Sequence, residues 1–164
     1  MTFEWRMSLA FAVALCGAMI AQVMESRAQD TVAATDEEKP YKIAEDGTTD
    51  WPTFSGFRRY NSICHTCHGP DGEGSTYAPG LMESLKVISY ADFMGVVASG
   101  REEVRADKQS KMPPLGDNRN VMCYIDDIYV YLKARADGVL PRGRPAKRSE
   151  KPEAAEAQEK ACFG

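Results

Sequence analysis

The chain has 164 residues, with 20 basic and 24 acidic side chains and a formal net charge of −4. That length suits one domain once any leader is removed, and the acidic balance argues against nucleic acid as a partner. It is compatible with electrostatically steered docking to another protein.

Residues 1–28 read as a secretory signal. Arg6 gives a weak positive region that Glu4 cancels, an apolar run from Leu9 to Val23 follows, and Ser26-Arg27-Ala28 offers small residues for cleavage. The run is short for a membrane span, which needs about 20 apolar residues, so cleavage is expected and stable membrane insertion is not. Cys16 follows Leu15, where a lipoprotein cleavage site would want a small residue. The expected address is the bacterial periplasm. Cleavage would remove Glu4, Arg6, Glu25 and Arg27 and leave the net charge at −4.

Residues 29–50 form an acidic leader with no helical period, expected to be flexible or loosely docked coil. Asp50-Trp51-Pro52 looks like a helix start, with Asp as the cap and Pro in the first turn. Trp51, Phe54, Phe57 and Tyr60 recur every third position and share one drifting face. Gly56 lies inside this helix, where glycine costs about 1 kcal/mol relative to alanine. Close approach of another helix is the usual reason to accept that cost; the alternative is a flexible spot.

Cys64-His65-Thr66-Cys67-His68 follows. Cys-x-x-Cys-His is the attachment signal of c-type haem: two thiols on one helical turn form thioethers with the haem vinyl groups, and His68 lies under the iron. A zinc half-site would need a second Cys or His pair at similar spacing, which is missing. A thioredoxin-like pair would need a βαβ setting, also missing. One motif means one covalent haem c.

From Gly69 to Gly80 the chain is rich in glycine and proline and reads as a loop beside the haem. A backbone carbonyl there must accept the Nδ1 proton of His68 to orient its ring. Pro79 is the candidate by position, and Leu81 is expected against the haem. Ser89 can cap a helix through Ala98 that Gly100 stops. Arg101 to Lys111 is charged and loop-like, and Met112-Pro113-Pro114 is stiff and extended.

The last helix opens after Asp117-Asn118, carries the apolar stripe Val121, Ile125, Ile128 and Leu132, and ends at Gly138 and Pro141. Residues 139–164 are a basic, then mixed-charge tail. Its cations and the acidic leader are either plain solvated termini or a docking surface for a partner. No strand stands out anywhere. The expected organisation is a signal at 1–28, a leader at 29–50, an all-α domain at 51–138 and a tail at 139–164.

Two cysteines, Cys123 and Cys162, remain after the signal and the haem have taken theirs. In an oxidising compartment an even pair suggests a disulfide, which would contribute about 3–4 kcal/mol by closing some 40 residues; two free thiols are the alternative. The iron's second axial ligand follows from scarcity. The only other histidine, His65, sits inside the binding motif and cannot reach the far face. Of the methionines beyond the signal, Met82 is too near the proximal side, and Met94 and Met122 fall on apolar helical faces. Met112, 44 residues beyond His68 on a proline-stiffened loop, is the expected ligand. A thioether raises the reduction potential and fills the sixth position, which suits a carrier and not an enzyme.

These residues resemble a class I cytochrome c over Trp51 to Gly138: Gly56 and Tyr60 before Cys64, the haem motif, Pro79 with Leu81, Met112-Pro113-Pro114, and an aromatic last helix. The resemblance implies an all-α fold wrapped around one haem c, with Gly56 letting the first and last helices cross beside Tyr131. Lys111 to Pro114, Asn120 to Leu132 and Arg142-Gly143-Arg144-Pro145 are narrower in what they resemble: the cytochromes of methanol metabolism, cytochrome cL and related four-cysteine proteins. That resemblance implies a periplasmic acceptor of electrons from a PQQ-dependent methanol (or other alcohol) dehydrogenase, delivering them to a cytochrome oxidase or another cytochrome c. The competing readings are a general shuttle between a quinol-oxidising complex and an oxidase, and a haem peroxidase or gas sensor with an open sixth site.

Overall fold

The computed structural model describes residues 39–104 and 109–164; the expected signal and residues 29–38 of the leader lie outside them. Helix α1 (Trp51–Ile63) starts as its sequence predicts: the Asp50 carboxylate accepts from the Thr53 amide at 3.0 Å, and Pro52 sits in the first turn. A short helix α2 (His65–His68) follows, then a 3-10 turn over Pro70–Gly72. Helix α3 (Ser84–Val87) precedes α4 (Tyr90–Ser99), whose cap Ser89 accepts from the Asp92 amide at 3.1 Å.

The expected last helix is two helices. Its N-terminal turn α5 (Arg119–Met122) is capped by the Asn118 side chain, and α6 (Ile125–Ala136) begins anew after Tyr124, whose backbone (φ −130°, ψ 18°) leaves the helical region. The apolar stripe survives the break: Val121, Ile125, Ile128 and Leu132 are all buried.

Helices α1 and α6 cross at Gly56. A Cβ there would collide with the Asp127 carbonyl and come within 2.8 Å of Tyr131 Cβ, so only glycine allows this approach. Tyr131 stands edge-on to Phe57 with ring centroids 5.7 Å apart and lies 5.5 Å from Tyr60. The core continues through Leu85, Phe93, Val97 and Leu132. Among the described residues, no helix is long and apolar enough to cross a membrane.

The same crossing half-buries a carboxylate. Burial pushes the Asp127 carboxyl up to about 6, against the bond from Ser55 and with help from the neighbouring Asp126 charge. A raised carboxyl pKa means that the folded state holds the proton more tightly than the unfolded chain. Stability from this group therefore falls as pH rises from about 4 to about 6, and the cost is complete above that window. Asp127→Asn should stabilise the holoprotein at neutral pH by about 1–2 kcal/mol, since partial exposure screens the full shift, and give no gain below about pH 4. Urea titrations of both proteins at the two pH values check this.

Strands are present where none stood out. Arg101–Val104 (β2) and Gln109–Met112 (β3) pair antiparallel, with Arg101 opposite Met112, so the charged segment before Met112 is a hairpin stem. Its residues lack an apolar face because they gain their order from the ladder, not from burial. Thr48–Thr49 (β1) pairs in parallel with Lys147–Arg148 (β4).

That second pairing gives order to the leader's last residues and to the tail. Instead of loose coil, residues 39–50 bring Tyr41 into the core, where its hydroxyl donates to Asp137 at 2.8 Å. After Gly138 (φ +72°) ends α6, Leu140 is buried and the tail folds back over α1. Several of its cations have intramolecular partners. Lys147 reaches Asp46 at 3.0 Å, and the Arg148 guanidinium lies 5.2 Å from the Trp51 ring and 5.0 Å from that of Phe54. Arg144 also covers Phe54, at 5.4 Å. A last helix, α7 (Glu153–Phe163), is joined to the end of α5 by the Cys123–Cys162 disulfide, with Cα atoms 5.8 Å apart. The leftover cysteines are bonded, and the tail is a strap on the domain.

Candidate haem site

Cys64, Cys67 and His68 lie on one continuous turn. The Cys64 carbonyl accepts from the Cys67 amide at 3.2 Å and from the His68 amide at 2.9 Å. Cys64 is half-buried and Cys67 exposed, and both thiols are unpaired. Burial pushes the Cys64 thiol up to about 11. A thioredoxin-like pair needs the opposite, a thiol that ionises easily, so the structure gives no support to that reading. Among the described residues, no group of three or more His, Cys, Asp or Glu converges as a zinc site would require.

His68 Nδ1 lies 3.1 Å from the Pro79 carbonyl oxygen, which can only accept, so Nδ1 carries the proton and Nε2 is the nitrogen that remains for a metal. His65 Nδ1 instead meets Asn61 Oδ1 at 3.0 Å on the same helical side. The loop that brings Pro79 round is closed by its own backbone. Gly74 N donates to His68 O at 2.8 Å, and Leu81 N to Gly72 O at 2.7 Å. Tyr60, fully buried, donates its hydroxyl to the Gly69 carbonyl at 2.6 Å, and the Ser75 hydroxyl donates to the Cys67 carbonyl.

Asp71 is the loop residue that the sequence did not single out. It is buried with φ +58°, a left-handed conformation unusual for a side-chain-bearing residue. Its carboxylate accepts from Gly143 N at 3.0 Å, Arg142 Nε at 3.3 Å and the Tyr131 hydroxyl at 3.4 Å. Burial raises its pKa, but the Gly143 amide and the Arg142 and Arg135 cations outweigh burial and hold the carboxyl below its usual range. Arg135, also buried, bonds Glu73 at 3.0 Å. The haem-side loop is thus tied to both α6 and the tail. A Pro-Asp-Gly turn is visible in sequence, but its partners some 60 to 70 positions on are not.

Met112 ends β3 and is half-buried against the core, as are Leu81, Met82, Met94, Leu115 and Met122. Apolar side chains that are only half covered, together with two unpaired thiols and an imidazole with one nitrogen engaged, fit a haem c. Its flat apolar face would cover them.

Relatives give the same answer. Cytochrome c-553I of Paracoccus denitrificans is 58% identical over 123 residues, 75% of this chain and 54% of that protein. Cytochrome c-555 of Methylococcus capsulatus is 43% identical over 95 residues, 57% of this chain and 71% of that protein. The chain belongs to the class I c-type cytochromes. It carries one covalently attached haem c. The cytochrome spans about half the length of the Paracoccus relative. The solved structure of the c-type cytochrome XoxG from Methylobacterium extorquens AM1 matches it with a TM-score of 0.64 at 46% identity, over 77% of this chain and 84% of that one. No family model matches the chain.

Proposed function

We propose that this cytochrome carries single electrons in the periplasm from a PQQ-dependent methanol (or other alcohol) dehydrogenase towards a cytochrome oxidase or another cytochrome c. Cys64 and Cys67 bond the haem, and His68 and Met112 are its axial ligands. Residues 1–28 are its cleaved signal, 51–138 the haem domain, and 29–50 and 139–164 its flanking leader and tail. The haem supplies a one-electron couple. The Pro79 carbonyl fixes the proximal ring and makes it more basic. A methionine opposite favours the ferrous state and occupies the position that a substrate would need.

The observation that carries the His68 assignment is the hydrogen bond from His68 Nδ1 to Pro79, which leaves Nε2 for iron. The donor assignment draws support from the sequence around Met112 and the last helices, and from 46% identity to XoxG. It is tested by mixing the oxidised holoprotein anaerobically with a purified quinoprotein methanol dehydrogenase and methanol at several ionic strengths. Rapid haem reduction that slows as salt rises is the expected result. Failure of reduction, with brisk oxidation of the ferrous protein by a membrane oxidase, would leave a general respiratory shuttle in its place.

A further inference from the structure

Helix α4 ends at Gly100 in a conformation, φ +75° and ψ 178°, that is essentially reserved for glycine. The last carbonyls of any helix lack partners within it. Here two of them are met by the segment just past Met112. Leu115 N donates to Val97 O at 3.0 Å, and Gly116 N to Ala98 O at 3.0 Å. On the other side of Met112, β3 is paired residue for residue with β2, which starts at position 101. The methionine therefore sits in a seam sewn to the end of α4 both before and after it.

Gly100 is the point on which that seam closes. A Cβ at position 100 would lie 2.6 Å from the Met112 carbonyl oxygen, 2.8 Å from Pro114 N and 3.0 Å from Pro113 C. These are backbone atoms, and two prolines deny them the freedom to swing aside. A side chain at 100 has to lift the Met112–Pro114 backbone away from α4 or twist the turn out of its glycine conformation. Either movement shifts the base from which the Met112 side chain extends.

We infer that Gly100 is a positioning residue for the iron's sixth ligand, because its bare backbone sets the distance and direction from which Met112 reaches the haem. This rests on Met112 being the ligand. Gly100 touches no reacting group itself; it acts through the seam. Neighbouring Gly95, on the same helix, supplies the contrast, since a Cβ there would meet nothing within 4 Å.

The test uses ferric holoprotein and two readouts independent of electron-transfer rate. One is the far-red charge-transfer absorption from a thioether sulfur to ferric iron, and the other is the affinity for added imidazole, which competes with methionine for the sixth position. Gly100→Ala should weaken the far-red band and tighten imidazole binding at least about tenfold, because the competitor's own hold on iron is reduced by that factor. Gly95→Ala should leave both at wild-type values; an equal change there would overturn the inference by showing a general effect of filling α4. Wild-type band and imidazole affinity in Gly100→Ala would overturn it too. Met112→Ala separates the two levels. If its far-red band persists, the ligand assignment has failed and the Gly100 inference falls with it. If that band is lost while Gly100→Ala stays normal, only the Gly100 inference falls. Should Gly100→Ala yield no holoprotein, Gly116→Ala strains the same seam more gently, its Cβ lying 3.0 Å from Ala98 O. A several-fold gain in imidazole affinity there supports the inference, and an unchanged affinity sinks it.

Discussion

Met112→Ala is expected to turn the ferric haem from low spin to high spin and to lower the midpoint potential by a substantial part of the roughly 0.8 V that axial ligation commands. Two terms combine. Loss of the thioether removes a ligand that favours ferrous iron, and water entering the sixth position stabilises the ferric charge. Met112→His separates them. A second imidazole restores low spin but not the potential, because nitrogen does not share sulfur's preference for ferrous iron. Optical spectra and a redox titration of the three proteins check both effects. A low-spin, high-potential Met112→Ala protein would show that another side chain is the ligand, whereas a wild-type protein that is already high spin and is unaltered by the substitution would reopen the peroxidase and gas-sensor readings.

Replacing Cys123 and Cys162 together by serine should lower the unfolding free energy by about 3–4 kcal/mol, the loop-closure term for a link spanning 39 positions. The melting temperature should fall by on the order of 10 °C or more. The loss is concentrated at one end. Helix α7 has no buried residue, and its contacts with the domain include the Arg119 guanidinium donating to the Phe163 carbonyl at 3.3 Å and Phe163 against Tyr124 at 5.9 Å between centroids. Without the covalent link α7 should exchange its amide protons readily while α1 and α6 remain protected. Haem spectra should be unchanged, since the disulfide involves none of Cys64, Cys67 and His68. Hydrogen exchange and guanidinium unfolding of the double variant decide the matter; an unaltered midpoint would mean that packing alone holds α7.

What the sequence announced, and what it concealed, divides by distance along the chain. The Asp50 and Ser89 caps, the aromatic face of α1 and the stripe through α5 and α6 are patterns within one or two helical turns, and each appears in the fold. The close crossing at Gly56 was legible because a glycine inside a helix demands a reason. The break at Tyr124 was not, since Cys123-Tyr124 carries no helix breaker. The β2–β3 stem was hidden by its composition: Glu102, Glu103, Ser110 and Lys111 show no alternation of apolar and polar residues. Asp71 and the tail were hidden by separation. Lys147 reads as a solvated cation until Asp46 is placed beside it. Gly100 was read as a helix stop, and only the path of the Met112 backbone over it gives it a second role.

The pairing of β1 with β4 joins residues nearly a hundred positions apart, with the Thr49 hydroxyl donating to the Lys147 carbonyl at 3.1 Å. Contacts of that span form late, because the entropy of closing so long a loop must be met before any hydrogen bond rewards it. During biogenesis the Cys64–His68 turn, which lies inside this loop, is therefore presented before β1 and β4 are drawn together over α1. The order of events suits a protein that has to receive its cofactor by covalent chemistry: the thiols stay within reach of an attachment apparatus, and the strap closes on a domain that already holds its haem.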